Sequence, residues 1–93
     1  NHPEIATFPD GRLVVFYEAN QANGPRTLAM RVGDAQGSAW SEPVTVATNA
    51  VGPRFTHSGE RAALAFTRFD GNRPSVVIQD WRHLFATVKD SNK

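Results

Sequence analysis

The sequence predicts an all-β chain made of two four-stranded antiparallel sheets, one after the other. Three observations carry that reading. Runs rich in β-branched and aromatic residues recur at strand length, and turn-forming Pro, Asp, Asn and Gly separate them. The pattern then appears a second time within the 93 residues.

Pro3 to Phe8 opens the first repeat as a short strand, with proline tolerated at its first position. Pro9-Asp10-Gly11 is a tight turn, in which Pro presets φ and Gly accepts the positive φ that turns commonly need. Arg12 to Ala19 is the strongest strand. Alternation sends Leu13, Val15 and Tyr17 to one face and Val14 and Phe16 to the other, so both faces are apolar and both expect cover. A polar loop over 20–26 leads to a third strand, Thr27 to Val32. A small-residue turn from Gly33 to Ala39 follows, then Trp40, and Val44 to Thr48 forms a fourth, edge strand. Asn49 to Gly52 reads as a connector.

The second repeat restates this order. Pro53-Arg54-Phe55-Thr56-His57 aligns with Pro3-Glu4-Ile5-Ala6-Thr7, Arg61 to Thr67 with Arg12 to Glu18, and Ser75 to Asp80 with the third strand. Asp70-Gly71-Asn72-Arg73 matches the loop ending at Arg26, and Leu84 to Val88 supplies a fourth strand before a polar tail. The alanine-rich segment 60–68 is assigned as strand because its first-repeat counterpart is plainly β. The offset of about 47–50 residues falls in the range of β-propeller blades. The expected units are a blade-like repeat over 3–48 and another over 53–90, both within a single 1–93 segment.

Composition narrows the function classes. Forty per cent hydrophobic and 20% charged residues are ordinary for a globular chain. Ten basic against nine acidic side chains give a formal net charge of +1 with no charge blocks, so neither nucleic acid nor a membrane surface is an expected partner. The chain has no cysteine, which excludes disulfides, thiolate metal sites and Cys nucleophiles. No apolar run approaches a membrane span. The opening Asn-His-Pro-Glu has no signal-peptide pattern, and a start without methionine fits trimming or an excerpt of something longer. His2, His57 and His83 lack metal-ligand spacing, and no phosphate loop or nucleophile elbow is present, so neither a metal nor a cofactor is expected.

Asp10-Gly11-Arg12-Leu13-Val14-Val15-Phe16-Tyr17, the Arg-containing third strand and Trp40-Ser41-Glu42-Pro43-Val44 together resemble one blade of a sialidase-type (BNR-repeat) β-propeller. In that family an Asp-box, Ser/Thr-x-Asp-x-Gly-x-Thr-Trp, closes the hairpin between the third and fourth strands. Gly33-Asp34-Ala35-Gln36-Gly37-Ser38-Ala39-Trp40 is similar, with one more residue between Asp34 and Gly37. The resemblance implies a turn in which the Asp34 carboxylate accepts backbone N–H groups, Gly37 takes positive φ and Trp40 is a buried anchor. It also implies a six-bladed propeller, completed by oligomerisation, with a trimer favoured, or by the remaining blades of a longer chain. A secreted or periplasmic location and a glycan ligand go with it.

Site residues follow by the same analogy. The innermost strand of a propeller blade lines the channel, which places Glu4, Arg54 and His57 there, joined by the loop residues Arg26, Asp70 and Arg73. Trp81, next to Arg82 and His83, is a candidate stacking platform, with core packing as its alternative. Sialidases hold a substrate carboxylate with three arginines, and guanidinium geometry suits that task. The family's Arg-Ile-Pro motif is missing, however, and Asn72-Arg73-Pro74 only echoes it. Tyr17 and Glu18 cannot act as the family's Tyr/Glu pair, because neighbours on a strand point to opposite faces. The reading is therefore a non-catalytic binding or scaffold module facing carbohydrate, with no catalytic residues assigned. The rival reading is a part or protomer of a sialidase-like exo-glycoside hydrolase.

Overall fold

The computed structural model describes residues 3–20, 24 and 26–84. The described residues form seven strands: β1 (Glu4–Thr7), β2 (Leu13–Asn20), β3 (Arg26–Gly33), β4 (Val44–Thr48), β5 (Ala50–Ser58), β6 (Arg61–Asp70) and β7 (Arg73–Asp80). They form two antiparallel meanders, a four-stranded sheet in the order β1-β2-β3-β4 and a three-stranded sheet in the order β5-β6-β7. Within each sheet the paired strands are neighbours in sequence, whereas β4 and β5 belong to different sheets.

The second sheet departs from expectation at its end. Residues 81–84 are helical, so the fourth strand expected from Leu84 does not begin there, and 85–88 lie outside the described residues. Asp80 explains the departure locally: its Oδ1 accepts the Arg82 N–H at 2.8 Å, a side-chain turn that diverts the backbone from the ladder. Leu84 then drops into the core at 2% exposure.

The connector expected over Asn49 to Gly52 is a single residue, because β5 already starts at Ala50. Asn49 takes a left-handed φ of 55°, a conformation that asparagine tolerates better than most residues. Its N–H donates to Arg26 O at 2.6 Å and its C=O accepts from Phe69 N at 2.8 Å, so the pivot ties the two sheets together. From there β5 crosses the first sheet obliquely. Gly52 N–H donates to Glu18 Oε2 on β2 at 3.1 Å, and Phe55 N–H donates to Glu4 Oε2 on β1 at 3.1 Å. A register shift between Val51 and Arg54 takes Gly52 out of the β5–β6 ladder.

The core lies between the sheets. Val14, Phe16, Leu28, Met30 and Val32 of the first sheet, with Phe8 just past β1, pack with Ala50, Leu64, Phe66 and Leu84. Phe55 joins them, with its ring centroid 5.6 Å from that of Phe16 and 5.8 Å from that of Phe8. Leu13, Val15 and Tyr17 point away from this interface, as the alternation predicts.

The observed ladders reproduce the repeat residue by residue. The row Glu4–Phe16–Met30 corresponds to Arg54–Ala65–Ile78, and Ile5–Val15–Arg31 corresponds to Phe55–Leu64–Gln79. One alignment slips: Arg26 corresponds in the ladder to Pro74, not Arg73. The two sheets bury opposite faces of these equivalent rows. Phe16 and Met30 are fully buried, whereas Ile78 is 71% exposed; Leu64 is fully buried, whereas Ile5 is 69% exposed. A two-fold sandwich would bury the same face twice. This pair is stacked front to back.

Candidate functional site

An open groove of about 820 Å³ lies at one end of the second sheet, where β5 ends, β6 begins and β7 leaves the ladder. The hairpin creates it. Ser58 pairs with Arg61 across a two-residue turn, with Gly59 at φ 63°, and His57 pairs with Ala62 one step further in. On the other side Ala63 pairs with Asp80, which brings the last residue of β7 and Arg82 to the same rim.

The groove is lined by His57, Ser58, Glu60, Arg61, Asp80 and Arg82. His57 Nε2 lies 2.6 Å from Gly59 O. A carbonyl only accepts, so Nε2 carries a proton and donates to Gly59 O. Arg61, Arg82, Glu60 and Asp80 are exposed, and the ion pair found among the described residues, Arg12 with Asp10 at 2.9 Å, lies elsewhere. Guanidinium donors, carboxylate acceptors, a hydroxyl and an imidazole thus face one open space. Such a mixture can satisfy a ligand that is itself rich in donors and acceptors. Among the described residues no three potential metal ligands converge.

Of the residues expected to bind ligand, only His57 lines this groove. Arg26, Asp70 and Arg73 flank the hairpins at the opposite end of the strands. Eight steps along β6 separate Ala62, beside His57, from Asp70, or roughly 26 Å at the usual strand rise. Glu4 is engaged between the sheets through Phe55 N–H. Arg54 is exposed in the ladder row opposite Ala65. The expected channel set is therefore dispersed.

Trp81 takes its packing alternative. It is half-buried, and its ring centroid lies 5.3 Å from that of Phe8. Tyr17 and Glu18 diverge as expected: Tyr17 faces outward, and Glu18 reaches across to Gly52.

The Asp34 turn has the expected logic with one correction. Asp34 Oδ1 accepts Ser38 N–H at 2.9 Å, its Oδ2 accepts the Ser38 hydroxyl at 2.8 Å, and Gly37 sits at φ 71°. The Ser38 hydroxyl, followed by the Ser38 N–H, holds the Asp34 carboxyl below the usual aspartate value. Trp40 is not buried; it is 38% exposed. It anchors the turn by donating Nε1–H to Gly37 O at 2.9 Å and by laying its indole on Gly33, where a Cβ would come within 2.8 Å of the ring.

Sequence reasoning missed Glu60, Arg61, Asp80 and Arg82 as groove residues, and Ser38 as the second half of the Asp34 turn. Two signals were available. Ser-Gly-Glu-Arg between two β runs marks a tight hairpin whose charges crowd one rim. An Asp two residues before Arg82 at a strand end marks the side-chain turn.

No protein-family model, curated protein or solved structure matches this chain.

Proposed function

We propose that the chain is a two-blade segment of a β-propeller that acts as a non-catalytic binding module for a carbohydrate. Its working surface is the groove at the His57 end of the second sheet. The observation that carries this reading is the groove's composition: His57, Glu60, Arg61, Asp80 and Arg82 offer donors and acceptors of both signs in an open space. Polyhydroxylated ligands pair with such groups without needing a deep apolar pocket. The blade reading rests on the two meanders, their residue-by-residue repeat and their front-to-back stacking. Further copies, or the rest of a longer chain, would supply the remaining blades.

Catalysis is the weaker reading. Glycoside cleavage needs an acid/base carboxylate and a nucleophile to converge on one bond. Glu4 and Glu18 both face β5 and accept its N–H groups, Tyr17 faces the other way, and Arg26 and Arg73 stand at the far end from His57.

The test is a glycan array followed by NMR titration of the isotope-labelled chain with each hit. Shifts should cluster at His57, Arg61 and Arg82. Arg61→Ala and Arg82→Ala should each weaken binding at least about tenfold with little change in the melt, since both side chains are exposed. Binding that survives both substitutions, or the lack of any glycan hit, refutes the groove assignment. Turnover of a fluorogenic sialoside would favour the hydrolase instead.

A further inference from the structure

The front-to-back stacking leaves two faces uncovered, and each is the repeat counterpart of a face buried inside the chain. On the outer face of the second sheet, Val76 is 73% and Ile78 is 71% exposed. Their ladder equivalents in the first sheet, Leu28 and Met30, are fully buried. On the outer face of the first sheet, Ile5 is 69% exposed, and its equivalent Phe55 packs on Phe8 and Phe16. Val15 corresponds to the fully buried Leu64, and Tyr17 to the buried Phe66. Solvent exposure alone does not account for β-branched side chains at these positions, since polar residues would serve a two-sided sheet better at its wet face. A shared packing role does account for them.

We infer that the outer face of the second sheet, centred on Val76 and Ile78, docks onto the outer face of the first sheet, centred on Ile5 and Val15, of a second copy of this chain. The contact continues an interface the chain already makes within itself. Val76 and Ile78 take the places of Leu28 and Met30, and Ile5, Val15 and Tyr17 take those of Phe55, Leu64 and Phe66. Ala63 and Ala65 replace the bulkier Val14 and Phe16 in those rows, so the incoming sheet can lie close to the β6 backbone. Each copy presents one face of each kind. The association is therefore heterologous, and it closes into a ring or runs on as a filament. The inference rests on the blade reading of the two sheets; Ala63 also lines the groove, so the docked copy borders the ligand site.

Two single substitutions at exposed positions test it: Ile78→Asp on one face and Ile5→Asp on the other. The wild-type chain should gain mass with concentration in sedimentation velocity, and each variant alone should sediment as a single folded chain. An equimolar mixture of the two should form a one-to-one dimer, because one intact face of each kind remains and propagation is blocked. Circular dichroism of each variant checks the fold, and Val15→Asp and Val76→Asp repeat the experiment if either variant misfolds. Dimerisation of a variant by itself overturns the inference in favour of a like-with-like contact. A wild-type chain that stays single at all concentrations, with a melt independent of concentration, also overturns it, whichever copy or segment covers these faces elsewhere. Groove titrations on the single-chain variants read ligand binding separately, so failure of one reading leaves the other measurable.

Discussion

Met30 and Ile78 occupy equivalent ladder positions, and truncating each to alanine in dilute protein tests the front-to-back arrangement directly. Met30 is fully buried between the sheets. Its truncation removes apolar contact and leaves a cavity, which costs about 2–5 kcal/mol. Ile78 is 71% exposed. Full burial of an isoleucine side chain is worth about 1.5–3 kcal/mol, so the roughly three tenths hidden here amount to about 0.5–1 kcal/mol. The total stability of a domain is roughly 5–15 kcal/mol, so the first variant loses a large share of it and the second little. Urea unfolding followed by far-UV circular dichroism measures both, with the denaturant slope checked for constancy so that midpoint shifts report stability. A loss for Ile78→Ala equal to that for Met30→Ala, at concentrations where the protein is a single chain, would mean that Ile78 is covered within the chain and would refute the arrangement.

Glu18→Ala removes the carboxylate that accepts Gly52 N–H across the sheets and should cost about 1 kcal/mol in the same assay, with amide exchange at Gly52 accelerated. Stability and Gly52 protection both unchanged would remove that bond from the account. Gly33→Ala places a methyl within 2.8 Å of the Trp40 ring, so the indole must leave its seat. Its fluorescence should shift to longer wavelength, and stability should fall by about 1–3 kcal/mol; an unshifted spectrum in a Trp81→Phe background counts against the seat. The Asp34 carboxyl is held below its ordinary value in the folded chain by Ser38, so its contribution is fully present above the unfolded aspartate value and is lost as pH falls through the lowered folded value. Protection of the Ser38 amide, taken relative to its intrinsic exchange rate at each pH, should fall over that acid range in the wild type and be already low and flat in Asp34→Asn; identical profiles would remove the carboxylate from the turn.

Local chemistry made most of the fold legible. The β2 alternation assigned Val14 and Phe16 to one face and Leu13, Val15 and Tyr17 to the other, because side-chain direction on a strand follows from covalent geometry alone. The alignments of strands one to three with five to seven agree with the observed ladder rows for the same reason: register is set by short turns. Which apolar face would be buried was not legible, since Val14 and Val15 are chemically alike and tertiary packing alone separates them. The end of β7 was misread because Asp80 closes a side-chain turn that a composition-based reading of Leu84 onward does not detect. The candidate site was the least legible part. Groove residues meet through a hairpin and a strand end, and their type, exposed charge, is shared with most of the surface.

The one-residue pivot at Asn49 accounts for the choice of faces. A long connector would let the second sheet turn over and present either side to the first. With a single residue between β4 and β5, held by hydrogen bonds to Arg26 O and Phe69 N, the second sheet must enter from the β4 edge. Strand β5 then runs across β2 and β1, where Glu18 and Glu4 meet its backbone N–H groups in turn. Those two bonds hold β5 against the first sheet, with Phe55 and Leu64 turned inward and Ala65 and Ile78 turned out. The equivalents of Glu4 and Glu18 in the second sheet are Arg54 and Thr67. Neither can accept through a carboxylate, so a sheet docked on the outer face would have to be held by apolar contact and by different polar groups. The pair of glutamates is thus specific to the junction inside the chain, and the apolar rows are what the two repeats share.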